Sequence, residues 1–182
     1  MPGRGLRPPA QTSYARAGMA RMAGAHYAAG MQHLPTPADF LPLVGQDLGR
    51  SDWFTIEQSH LDGFAALTGD DFWLHVDTER AARELPGGRT IAHGLFMLAL
   101  VPRLQRQIFH VAQRGAGLNY GSDRVRYTAQ VPVGSRIRLH QKVHAAERAG
   151  AATRLTTECT MELEGSTRPA LVALFILLMQ DG

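Results

Sequence analysis

Asp70 and His75 stand five residues apart in the segment Thr68-Gly69-Asp70-Asp71-Phe72-Trp73-Leu74-His75-Val76-Asp77. In a turning loop that separation lets two side chains converge on one small volume. A carboxylate and an imidazole sharing a water molecule make an acid/base pair: the Asp accepts a proton from water while the His holds the water or supplies a proton elsewhere. Burial raises the pKa of such an Asp and a partly charged His lowers it, so the pair can be poised near neutrality. Spacing alone leaves a plainer reading open, with Asp70 capping a helix and His75 solvated.

Twenty residues further on, Thr90-Ile91-Ala92-His93-Gly94 opens the most apolar helical stretch of the chain. The first N–H groups of a helix have no intrahelical acceptor and lie at its positive end. With no side chain, Gly94 lets a ligand approach them closely. An enolate oxygen formed from a thioester carbonyl would be stabilised there. The alternative is that Gly94 only permits tight entry into the helix. His93 is read as a core histidine that satisfies a buried hydrogen bond.

The elements that must position these residues follow from pattern. Thr55-Ile56-Glu57-Gln58 reads as a capping box with Thr55 as N-cap, followed by a helical apolar stripe of Ile56, Leu61, Phe64, Ala65 and Leu67 and closed by Gly69. A short helix is expected over Thr78–Glu84, ending at Pro86-Gly87-Gly88. One long buried helix is expected from Gly94 to about Gln113, with Pro102 kinking it. Its Met97, Leu98, Leu100 and Val101 either line an acyl channel or pack in the core. After Gly117 the period becomes alternating. Arg136–His144 and Arg154–Glu164 read as strands joined by a hairpin turn at Glu147-Arg148-Ala149-Gly150, and the continuously apolar Ala170–Met179 as a central strand covered on both faces. A buried helix followed by antiparallel strands predicts an α+β layout with the sheet wrapped round the helix.

Charge and composition bound the function classes. The 182 residues are 45% hydrophobic and 19% charged, enough apolar content for one packed core. The net charge of +3 is uneven: residues 1–38 hold Arg4, Arg7, Arg16 and Arg21 and no acid, which leaves the rest of the chain at −1. The basic signal therefore belongs to a Gly-, Pro-, Ala- and Arg-rich leader nearly free of aromatics, so a nucleic-acid partner is not expected. Residues 1–37 are read as a disordered extension and 38–182 as one domain; an Arg-rich targeting peptide and a true start at Met19, Met22 or Met31 are the other readings of the leader. Cys159 is the sole cysteine, which excludes an intrachain disulfide and a Cys-rich metal site and fits a reducing, cytoplasmic setting. No metal site is expected. No apolar run reaches the ~18–20 residues of a membrane-spanning helix.

The run Phe64-Ala65-Ala66-Leu67-Thr68-Gly69-Asp70 to His75-Val76-Asp77, with Gly88-Arg89-Thr90-Ile91-Ala92-His93-Gly94, closely resembles the MaoC-like dehydratases, a family that includes the (R)-specific enoyl-CoA hydratases. A second block, Leu118-Asn119-Tyr120-Gly121-Ser122-Asp123-Arg124-Val125-Arg126-Tyr127 with Val131-Pro132-Val133-Gly134-Ser135-Arg136, resembles the nodulation-protein-N-like branch of that family. Together they cover about residues 40–180. The resemblance implies a homodimeric hot-dog fold that adds water reversibly across a trans-2-enoyl thioester to give the (R)-3-hydroxyacyl thioester. It puts the catalytic aspartate on Asp70, the catalytic histidine on His75 and the backbone N–H that binds the thioester oxygen on Gly94. The substrate is an acyl-CoA or acyl carrier protein thioester, and coenzyme A enters only as part of it, with no separate cofactor. Two positions depart from the family pattern: Phe72 stands where an Asn is usual, and Pro102 where some hydratases carry a serine. Arg124, Arg126, Arg136 and Arg138 read as an exposed basic cluster on successive strands. In a thioester enzyme Arg124 and Arg126 would bind substrate by meeting coenzyme A phosphates; as solvated strand faces they would not. Two other functions fit the same residues, an acyl-CoA thioesterase and a non-catalytic acyl-thioester-binding protein.

Overall fold

Strict alternation of apolar and polar residues in the C-terminal half builds the frame. The computed structural model describes residues 30–182. Four long strands, β5 (Arg114–Tyr127), β6 (Arg136–Ala149), β7 (Ala152–Leu163) and β8 (Leu171–Asp181), follow one another at the C-terminal end. They are preceded by short strands β1 (Gln32–Leu34), β2 (Asp47–Arg50), β3 (Phe54–Thr55) and β4 (Phe109–Val111). Five helices lie between β3 and β4: α1 (Gln58–Thr68), α2 (Trp73–Val76), α3 (Thr78–Glu84), α4 (Gly94–Ala99) and α5 (Val101–Gln105). The main sheet is antiparallel in the order β2-β6-β7-β8-β5, with β3 also on β6. A second small sheet pairs β1 with β4 in parallel.

Successive strand residues point to opposite faces, and here one face is the core. Ile137, Leu139 and Val143 of β6, Leu155, Cys159 and Met161 of β7, and Leu171, Phe175 and Met179 of β8 are all buried beneath Met97, Val101 and Leu104 of α4 and α5. The α+β layout and the presence of strands over Arg136–His144 and Arg154–Leu163 are as expected. Burial holds the Cys159 thiol above its ordinary range, outweighing hydrogen bonds from Thr157 and Gln141. The thiol is therefore buried and kept from ionising.

Several expectations are corrected. The long helix is two short ones that end at Gln105, and Phe109–Val111 is strand β4 rather than helix. Pro102 lies in the first turn of α5, where its missing N–H costs nothing and its fixed φ suits helix entry. The helix before Asp70 starts two residues later than predicted: Glu57 is its N-cap and His60 its capping-box partner, because Thr55 is taken by β3. Glu147–Ala149 continue β6, so the hairpin turns at Gly150 and Ala151, Gly150 taking the positive φ of 63° that a tight turn needs. Strand β8 is central in the order, but Val172, Leu174, Ile176 and Leu178 are only partly covered on its outer face. The four arginines do not form one cluster, because β7 and β8 separate β5 from β6. Most of the expected extension 1–37 lies outside the described residues, though within it Gln32–Leu34 form β1 and Pro37 is buried.

Candidate active site

Helix α1 delivers the chain to the site. Gly69, at φ 76°, ends it in the left-handed conformation that favours glycine, and its N–H closes the last turn on the carbonyl of Ala65 at 2.8 Å. Asp70 follows directly, exposed, with its own N–H 3.3 Å from Thr68 Oγ1. The next turn, α2, carries His75.

The segment Thr90–Gly94 lies against that turn and fixes it. The N–H of Ile91 donates to the carbonyl of Leu74 at 3.0 Å. In return, Nδ1 of His75 lies 2.6 Å from the carbonyl oxygen of Ile91. A carbonyl can only accept, so Nδ1 carries the hydrogen and Nε2 is left free for chemistry. Gln58, from the first turn of α1, donates its Nε2 to the carbonyl of His75 at 2.8 Å and accepts the hydroxyl of buried Thr90 at 2.5 Å.

These ties bring Asp70, His75 and His93 together, with a carboxylate oxygen and a nitrogen of each ring all within 4.8 Å of one another. His93 is 2% exposed. Its Nε2 donates to the carbonyl of Asp70 at 2.8 Å, and its ring stacks on that of His75, with centroids 3.7 Å apart and planes at 25°. It therefore does satisfy a buried hydrogen bond, but the acceptor is the backbone of Asp70. Such a trio invites a metal-site reading, which the geometry does not favour. Imidazole lone pairs lie in the ring plane, so two nearly parallel stacked rings aim them side by side rather than at one ion.

Gly94, the first residue of α4, faces the same space. A cavity of about 330 Å³ is lined by His75, Ile91, Ala92, Gly94, Met97 and Tyr127, with Thr128–Gln130 at its rim. The ring of Tyr127 packs directly on the Cα of Gly94. Burial raises the pKa of Tyr127 above its ordinary value.

Asp70, His75 and Gly94 are thus gathered where the sequence placed them in a common site. Arg124 and Arg126 are not part of that cluster. Tyr127 pairs with inward-facing Leu171 and turns to Gly94, whereas Arg126 pairs with outward-facing Val172 and its guanidinium donates to the carbonyl of Val125. Arg124 sits at a register shift of β5 with φ 52°. Arg136 and Arg138, on β6, are paired with Glu164 and Glu162. Phe72, at the start of α2, is exposed. The residues that sequence reasoning missed here are Gln58 and Tyr127. Gln58 had been assigned to a cap, and no local signal joins Tyr127 to a glycine thirty-odd residues earlier.

An antiparallel sheet packed on a short central helical segment, with Asp70, His75 and His93 gathered at the helix entrance, is the hot-dog fold, and the relatives that follow place it in the hydro-lyase class. Residues 39–164 match the family model described as the MaoC-like domain, and the chain belongs to that family. It is 46% identical over 144 residues to 3-hydroxyacyl-thioester dehydratase Z of Mycobacterium tuberculosis, covering 79% of this chain and 95% of the relative. It is 41% identical over 145 residues to nodulation protein N of Rhizobium leguminosarum bv. viciae, covering 79% and 90%. Among solved structures, the unliganded (R)-hydratase of Pseudomonas aeruginosa superposes with a TM-score of 0.59 at 20% identity, covering 76% of this chain and 83% of that one. That likeness is one of fold. Among the described residues no helix is long and apolar enough to cross a membrane.

Proposed function

We propose that the protein catalyses the reversible hydration of trans-2-enoyl thioesters to (R)-3-hydroxyacyl thioesters, with Asp70 and His75 as the acid/base pair. The observation that carries this reading is the closeness of the Asp70 carboxylate to the His75 imidazole, which lines one cavity together with Gly94. The dehydratase names of its relatives support the same reaction class.

In the hydration direction a water molecule sits between Asp70 and the free Nε2 of His75. Asp70 takes a proton as the water oxygen bonds to C3 of the enoyl group. The electron pair of the double bond moves onto the thioester oxygen, where the N–H of Gly94 stabilises the enolate charge. The proton then returns to C2, which restores the carboxylate and completes the addition. All of these steps use groups of the protein and substrate, and coenzyme A or acyl carrier protein acts only as the thioester carrier.

A homodimer in the cytoplasm is part of this reading. β5 is a sheet edge of fourteen residues, exposed over most of its length. Long unpaired edges invite pairing with another chain, and a second copy of β5 is the natural partner.

Incubation with crotonyl-CoA tests the chemistry. Loss of enoyl absorbance without free thiol is the expected result. Thiol release would replace hydration by thioester hydrolysis, and binding with neither change would make the protein an acyl-thioester-binding module.

A further inference from the structure

His93 connects the three parts of the site, although the acid/base pair as described does not use it. Its Nε2–H holds the backbone carbonyl of Asp70 at 2.8 Å. One face of its ring lies on His75 at 3.7 Å, and its neighbourhood includes the Phe64 ring at 5.0 Å. In the chain it is the N-cap of α4, bonded directly to Gly94. A displacement of this one residue would therefore move the carboxylate, the imidazole and the N–H donor relative to one another.

The chemistry of the ring argues that this link is what the residue is for. Because a carbonyl only accepts, Nε2 carries the hydrogen, and Nδ1 of the neutral ring is an acceptor buried without a partner. An unpaired buried polar atom typically costs about 1–3 kcal/mol. A phenylalanine would fill the same slot beside Phe64 without that penalty. A position kept polar at such a cost, for one hydrogen bond to the backbone of Asp70, is better suited to holding geometry than to filling the core. Two aromatic planes in contact also restrict rotation of His75 about its side-chain torsions, a second restraint beyond its bond to Ile91.

We infer that His93 is the positioning residue of the site: it sets Asp70 and His75 in register with the N–H of Gly94 and touches no substrate atom. Its kinetic consequence rests on the hydration reading above; its structural consequence does not.

Two substitutions divide the role. His93→Phe keeps the ring against His75 and removes the donor to Asp70. His93→Gln keeps an N–H donor and removes the stack. With crotonyl-CoA, His93→Phe is expected to lower kcat about 10–100-fold, by analogy with the loss when a hydrogen-bond partner that orients a metal-ligating side chain is removed. KM should stay within about threefold, and His93→Gln should recover part of the lost kcat. Nitrogen-15 spectra of the imidazoles supply a readout independent of turnover. Wild-type His75 should appear as the Nδ1–H form and His93 as the Nε2–H form, and in His93→Gln the His75 signals should shift toward an average of tautomers. Folded variants with wild-type kcat, or a rise in KM alone, would overturn the proposal. If the wild-type protein hydrates no enoyl-CoA, the hydration reading fails separately; unchanged His75 signals in both variants would then overturn the positioning role by itself.

Discussion

The ring of Tyr127 lies so close to Gly94 that a methyl group added to the glycine would meet ring carbons Cδ2, Cε2 and Cγ at 2.6–2.7 Å. Real Cβ atoms do not approach that closely, so either the ring or the helix start must move. The glycine is thus required by an aromatic side chain arriving from β5. Gly94→Ala should destabilise the protein by about 1–3 kcal/mol, the usual cost of overpacking, and Gly94→Ala/Tyr127→Ala should recover much of it. Urea unfolding of the two single variants and the double variant measures the coupling. Strict additivity would show that the contact carries no energy.

Asp70→Asn and His75→Ala should each lower crotonyl-CoA hydration by about 10²–10⁴-fold, the range that general acid–base groups supply. Asp70 is exposed and His75 only partly buried, so both variants should unfold within a few degrees of the wild type. Asparagine preserves the shape of the aspartate and removes its capacity to take a proton. Turnover near the wild-type rate in either variant would remove that residue from the mechanism.

Gln58 is the strut between α1 and the site. Its amide bonds the carbonyl of His75, and its oxygen accepts the hydroxyl of Thr90, which is 2% exposed. Gln58→Leu leaves that hydroxyl buried without this acceptor and frees the turn that carries His75. A loss of about 1–3 kcal/mol in urea unfolding is expected from the unpaired group. Hydrogen exchange of the amide of Ile91, bonded to Leu74 across the same contact, should accelerate. Gln58→Glu, which keeps the acceptor, should be milder than Gln58→Leu.

How much of this could be read in advance follows from the range of the interactions. Asp70, His75 and Gly94 are near one another in sequence, and the turn after Gly69 and the cap before α4 are local devices. Spacing alone nevertheless left their grouping open, and it was the resemblance of the surrounding runs that joined them. Which residues of β6 and β7 face the core was legible, because Ile137 and Leu139, and Leu155, Cys159 and Met161, recur at even spacing; their pairing register was not, because the turn lies later than expected. The length of the helix after Gly94 was not. Ile108, Phe109 and Val111 are apolar and suit a helical stripe, but the carbonyl of Ile108 and strand β4 pair with β1 near the start of the described chain. No local pattern encodes that partner. The arginines illustrate the same limit: Arg124 and Arg136 belong to strands consecutive in sequence, yet two strands lie between them in the sheet. Gln141 was missed because a single polar residue on an otherwise apolar face reads as noise. It is buried, and its amide bonds Gln105, Thr157 and Cys159.

The last prediction concerns acid. Glu162 is partly exposed, and that limited burial opposes its charge. Hydrogen bonds from Arg138 at 2.6 Å and Arg50 at 2.9 Å, with the charge of both guanidiniums, outweigh it and hold the carboxyl below its ordinary value of 4.5. A carboxylate whose pKa is lowered on folding contributes stability that is present above the unfolded value. That contribution is lost as pH falls through the lowered folded value. Thermal unfolding should therefore show Tm falling below about pH 4.5, with Glu162→Gln lowering Tm modestly at pH 7 and losing less between pH 7 and pH 3. The effect should be small and should weaken in high salt, since exposed ion pairs are worth little and are screened. A wild type and a Glu162→Gln variant with parallel Tm curves from pH 7 to pH 3 would show that Arg50 and Arg138 are stabilised on β2 and β6 by their other contacts, the Trp53 ring 4.5 Å from Arg138 among them.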